Sequence, residues 1–180
     1  MDRLACTAGV NLPITRLPQC PENFDRQTLL LLTLPGADRA EARARVRAVL
    51  TKIAARLSHR IIETPCGPEF VDSGHHISIS YASGNALIGI SKQRRIGVDI
   101  VKIEPISESS ALARLYLPDG ASCIGSDEAF AARWASLEAC CKALKLPLAE
   151  IDPARATAYA QCEMVQCEQI PGYRIALAVV

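Results

Sequence analysis

The chain has 180 residues, 49% of them hydrophobic, and its 20 Lys and Arg against 19 Asp and Glu leave a formal net charge of +1. That size and apolar content suffice for an ordinary core, in one domain or in two small halves packed together. The balanced charge excludes a general nucleic-acid binder, which needs a basic excess to neutralise phosphates, so any anion site is local. Eight cysteines (Cys6, Cys20, Cys66, Cys123, Cys140, Cys141, Cys162 and Cys167) include no C-x-x-C pair of the kind that marks zinc or thiol redox chemistry. The expectation is reduced thiols in a cytoplasmic protein. The N-terminal stretch has an early acid and two prolines, which is not the pattern of a secretory signal, and no segment has the apolar length of a membrane span.

In chain order, the first two dozen residues, rich in Pro, Thr and Asn, read as an irregular arm. "DRQTLLLLTLP" reads as a strand ended by Pro35-Gly36. Residues 37–57 predict a strong helix, with Val46, Val49, Leu50, Ile53 and Leu57 at helical spacing and arginines on the opposite, solvated face. "ETPCGPEF" reads as a turn-rich connector, and "HHISISYASGNALIGIS" as two short strands around Ser83-Gly84-Asn85. "RRIGVDIVKI" is a further strand, "SESSALARLYL" a short helix, and residues 126–145 a second strong helix ended by Pro147. The tail, with "ATAYAQCEMVQCEQ" and "GYRIALAVV", reads as strands. The fold class is therefore α+β. Helix followed by strands occurs twice, which predicts a pseudo-twofold pair of similar α/β halves, residues 1–97 and 98–180, in one compact unit.

Asp99 stands out because Ile96, Val98, Ile100, Val101 and Ile103 surround it in a strand expected to be covered on both faces. An ionised carboxylate there is costly without a partner. The second strong helix can supply one. Phe130, Trp134, Leu137, Cys141 and Leu144 form its apolar stripe, and Glu138 and Lys142 lie beside it one turn apart. Alone, such a pair is a surface contact of a few tenths of a kcal/mol. With Asp99, the two carboxylates could hold Mg²⁺, which uses one or two carboxylates plus phosphate oxygens, and the lysine would face the same phosphate. His59, His75 and His76 have no metal spacing.

These residues resemble the 4'-phosphopantetheinyl transferase family, of the surfactin-synthetase-activating type. The G-[IV]-D-[IV] strand of that family appears as Gly97-Val98-Asp99-Ile100, and its W-x-x-K-E-[AS]-x-x-K helix as Trp134 to Lys142. The resemblance implies the family's two-halved fold and Mg²⁺-dependent transfer of the phosphopantetheine arm of coenzyme A to a serine of an acyl or peptidyl carrier protein, in a monomer. It implies Asp99 and Glu138 as metal ligands, Glu138 also as base, and Lys142 as the group that neutralises phosphoryl charge. It further implies Arg43 and Ser83 as contacts to CoA phosphates. The carrier would be met near Leu115, Tyr116 and Leu117.

The departures are equally specific. Val101 stands where large members carry a third carboxylate, Leu137 where the motif has a lysine, and Ser78 to Ser83 lack the family's histidine. The G-K-P loop is reduced to Gly67-Pro68. They motivate an alternative, a relative that binds CoA or a carrier protein without transferring the arm. A Mg²⁺-dependent phosphohydrolase ranks last, for want of a water-activating residue.

Overall fold

The computed structural model describes residues 11–19, 21, 24, 26–65, 67–71, 73–120 and 125–180. Most of the expected N-terminal arm and Cys6, Cys20, Cys66 and Cys123 lie outside the described residues. The fold is mixed α+β with three sheets. A four-stranded sheet has the order β1 (Ile14–Arg16), β2 (Thr28–Thr33), β6 (Asn85–Lys92) and β5 (His75–Ala82), with β1 parallel to β2 and the other pairs antiparallel. A hairpin joins β3 (Arg60–Thr64) to β4 (Gly67–Val71). The third sheet is antiparallel, with β9 (Tyr173–Val179) between β7 (Ile96–Lys102) and β8 (Glu163–Met164).

Two long helices cover these sheets. Helix α1 (Arg39–Arg56) starts where Asp38 accepts from Glu41 N, and its Val46, Leu50 and Ile53 pack on Leu30, Ala86, Ile88 and Ile90 of the four-stranded sheet. Following the short helix α2 (Ser109–Tyr116), α3 (Asp127–Leu144) is capped by Ser126 and ends at Lys145, whose φ of 57° turns the chain left-handed. Its Ala135, Leu137, Ala139 and Ala143 pack with Ala176 and Ala178 of β9. Between the sheets, Leu29, Leu31 and Leu87 meet Ile96, Val98, Ile100, Ile175, Leu177 and Val179. The layers are thus helix, sheet, sheet, helix. Alternation along β7 turns Val98 and Ile100 toward the four-stranded sheet and Gly97 and Asp99 toward α3.

The two long helices agree with the sequence expectation to within two residues at each end. Three other segments differ. The "ETPCGPEF" connector is instead part of the β3–β4 hairpin, where Pro68 pairs with Glu63, a place that proline tolerates because the two-stranded ribbon consists of edges. The first part of the tail is not a strand. Asp152 accepts from Arg155 N and Pro153 occupies the first turn, so Pro153–Tyr159 forms helix α4, and only Glu163–Met164 pairs as β8. Within the arm, Ile14–Arg16 forms β1, and Ile14 N and the Arg16 guanidinium both donate to Glu168. Among the described residues no helix is long and apolar enough to cross a membrane.

Two glycines set the layer spacing. A Cβ on Gly89 would lie 2.4 Å from Val98 Cγ1, and a Cβ on Gly97 would lie 1.9 Å from the Ala139 carbonyl oxygen and 2.5 Å from Ala143 N. The second obstacle is helix backbone, which no rotamer change relieves. Gly97→Ala is therefore expected to lift α3 from β7 and cost about 3 kcal/mol of stability, in the upper range for overpacking, measurable by urea denaturation. Gly74→Ala, whose Cβ meets nothing within 4 Å, is the control and should be nearly neutral.

Candidate functional site

Among the described residues β7 borders its sheet, so one row of its backbone groups has no strand partner there. Side chains serve that edge instead. Val98, fully buried, donates its N–H to Ser78 Oγ at 3.0 Å and accepts from Lys142 Nζ at 3.1 Å through its carbonyl. Asp99, 2% exposed, accepts at Oδ1 from Ser80 Oγ at 2.5 Å and from Lys142 Nζ at 2.7 Å. The buried acid therefore has a cation and a hydroxyl as partners, which offsets its desolvation.

Glu138 completes the cluster from α3. Its Oε1 accepts from the Trp134 indole N–H at 2.9 Å, one helical turn earlier, while Oε2 stands 3.9 Å from Lys142 Nζ. Of the two acids near it, Lys142 binds the strand aspartate more closely than its own helix neighbour. Burial holds the Glu138 carboxyl above its ordinary range, and the Asp99 charge adds to that effect; Lys142 and the Trp134 bond oppose it. The two carboxyl groups thus compete for one lysine. Trp134 is itself fixed by stacking on Phe130 and by an edge contact with Tyr116.

Glu138 and Lys142 line a cavity of about 560 Å³ together with Asp38, Arg39 and Ala42 at the start of α1 and with Ser80, Tyr81 and Ser83 of the β5–β6 hairpin. The site residues expected from the sequence meet here with one exception. Asp99, Glu138 and Lys142 form one cluster, and Ser83 lies on the cavity wall with its carbonyl accepting from Tyr173 Oη at 2.6 Å. Arg43 is exposed on α1 outside the lining, although its charge reaches Tyr81; the arginine that lines the cavity is Arg39, one turn earlier. Burial pushes the Tyr81 hydroxyl up, against the downward pull of Arg43, Arg47 and Arg39. Leu137 is 5% exposed and packed in the core, as its place on the apolar stripe implies. Of the three residues expected to meet a carrier, Leu115 is exposed, Tyr116 packs on Trp134, and Leu117 is buried.

Ser78, Ser80 and Trp134 carry contacts that the sequence reading did not assign. The alternation Ile77-Ser78-Ile79-Ser80 held the signal for the serines. Its isoleucines pack toward α1 while the intervening hydroxyls turn to β7. Among the described residues no three His, Cys, Asp or Glu side chains gather into a metal-binding group. The acidic donors are two carboxylates. Comparison with models of known families and with curated proteins gives no match for this chain.

Breaking the pair from one side leaves a buried charge. Lys142→Met should cost about 2–3 kcal/mol, less than for a wholly enclosed pair because Lys142 keeps 30% exposure. The double substitution Lys142→Met with Asp99→Asn should recover part of that loss. Denaturation midpoints of the unsubstituted protein, Lys142→Met, Asp99→Asn and the double variant measure the coupling, and simple additivity would show that the pair is not a unit.

Proposed function

We propose that the protein is a Mg²⁺-dependent 4'-phosphopantetheinyl transferase that moves the phosphopantetheine arm of coenzyme A to a serine of an acyl or peptidyl carrier protein, releasing adenosine 3',5'-bisphosphate. The observation that carries this reading is the meeting of Asp99 from β7 with Glu138 and Lys142 from α3 beside a cavity that Arg39 and Ser83 also line. Two similar halves, each a sheet with a long helix on its outer face, belong to the same reading. Its support is the packing of α1 on the four-stranded sheet and of α3 on the β7–β9 sheet.

The donor set fits a hard cation. Asp99 and Glu138 offer carboxylate oxygens, and Mg²⁺ is ordinarily held by one or two carboxylates, with water and phosphate oxygens completing the shell. When bound, the ion supplies Lewis-acid stabilisation of charge on the pyrophosphate. The rest is done by the chain. Glu138, its Oε1 held by Trp134, presents Oε2 as the acceptor for the proton of the carrier serine hydroxyl. Lys142 Nζ neutralises charge on the transferred phosphoryl group, and Arg39 and Ser83, which line the same cavity, serve the remaining phosphates. Positioning and charge account for most of phosphoryl-transfer catalysis, so this small set is sufficient.

One observation favours the non-transferring alternative. Lys142 at 2.7 Å and Ser80 hold the same Asp99 oxygen, so protein groups compensate the buried acid. Intact-mass spectrometry of apo carrier proteins incubated with the protein, CoA and Mg²⁺ separates the two. The transferase gives a mass gain of one phosphopantetheine, abolished by a chelator and by Glu138→Gln, with the folded circular-dichroism spectrum retained. CoA binding by calorimetry without a mass gain on any carrier establishes the alternative.

A further inference from the structure

A second cavity, of about 700 Å³, lies beside the later half of α1 and shares no lining residue with the one that Glu138 and Lys142 line. Alternation along β2 puts Leu32 on the same face as Leu30, toward α1. Leu17, just past β1, donates its N–H to the Leu31 carbonyl at 2.9 Å and brings a second leucine to the same wall. Val49 and Ile53, one turn apart on α1, face them. Ile53 is 1% exposed, whereas Leu17, Leu32 and Val49 are half-buried at the margin of the core that α1 forms with the four-stranded sheet. Two exposed cations, Lys52 and Arg56, also one turn apart, line this cavity, and among the described residues no acidic side chain does. Earlier on α1, Arg45 and Arg47 pair with Glu41 and Glu63. Lys52 and Arg56 make no ion pair among the described residues; Arg56 Nη1 donates to the Pro21 carbonyl oxygen at 3.3 Å.

We propose that this cavity binds a single-chain aliphatic carboxylate, its tail against Leu17, Leu32, Val49 and Ile53 and its head at Lys52 and Arg56. The volume lies within the range of small-molecule sites, ~300–1,000 Å³, and an apolar lining with a few polar groups is their usual composition. Charge decides the class of head group. Lysine and arginine stems lie along apolar surface while their ends stay in water, so the cations meet an anion at the edge and the tail is the part withdrawn from water. A neutral amphiphile would leave both cations unpaired, and a cationic one would meet like charge. One carboxylate serves both, because its two oxygens can accept from an ammonium and a guanidinium together. A concavity walled by strand and helix takes a single chain, whereas a bilayer takes a protruding apolar face. The site is independent of the reaction proposed at the other cavity.

The test is calorimetric titration of the full chain with decanoate, kept monomeric, and with decyltrimethylammonium, which has the same tail and the opposite charge. Methyl NMR locates the site. The expected result is saturable decanoate binding with shifts at the Leu17, Leu32, Val49 and Ile53 methyls, and no binding of the cationic probe. Combining Lys52→Gln with Arg56→Gln, both at exposed positions, should weaken decanoate binding roughly tenfold. Val49→Glu, which puts a carboxylate in the wall, should abolish it with the circular-dichroism spectrum unchanged. Absence of decanoate binding, equal binding of the two probes, or shifts confined to the cavity of Glu138 and Lys142 would overturn the proposal. So would attachment to phosphatidylglycerol vesicles with no binding of monomeric decanoate.

Discussion

The free edge of β7 is the constraint on which the site depends. A strand buried between a helix and a second sheet must pair its backbone groups, and among the described residues this one is hydrogen-bonded to a strand on one side only. Ser78 and Lys142 satisfy the Val98 N–H and C=O that a missing strand would have taken. The same lysine and Ser80 hold Asp99. Structural need and chemical capability therefore share atoms, because the groups that make the edge tolerable also place a carboxylate, an ammonium and a second carboxylate beside a cavity. An edge closed by a further strand would have left no room for that arrangement.

The approach of α3 is what lets these groups meet. Lys142 reaches both Val98 and Asp99 because nothing separates the helix backbone from Gly97. Any side chain at that position would collide with the Ala139 carbonyl. On the opposite face of β7, Gly89 gives Val98 its place against the four-stranded sheet. Small residues thus set the separations, alanines along α3 extend the close contact onto β9, and the long polar side chains span what remains.

Much of this was legible in the sequence where a strong period and a boundary signal coincided. The apolar spacing and terminal signals of α1 and α3 fixed their extents, and Ser83-Gly84 marked the turn of the β5–β6 hairpin. Asp99, Glu138 and Lys142 could be chosen because one acid in an apolar strand demands a partner and a Glu/Lys helix turn can provide it. What escaped depended on non-local context. The β3–β4 hairpin carries Pro68 and no strong alternation, so its strands are visible only once paired. Helix α4 was announced by Asp152-Pro153 but masked by the Thr and Tyr that follow. Arg39 instead of Arg43 lines the cavity because the two arginines share one face of α1 a turn apart and the cavity lies at the start of that helix, a placement along the axis that periodicity leaves open.

We propose the Asp99, Glu138 and Lys142 cluster as a metal and phosphate site as well as a device for closing a strand edge. Calorimetric titration of the CoA-saturated protein with Mg²⁺ tests it most directly. The expected result is saturable Mg²⁺ binding that depends on CoA and is lost in Asp99→Asn, with the fold confirmed by circular dichroism. CoA binding that proceeds with no Mg²⁺ heat, unchanged by Asp99→Asn, would contradict it and leave the cluster as the structural closure of β7 alone.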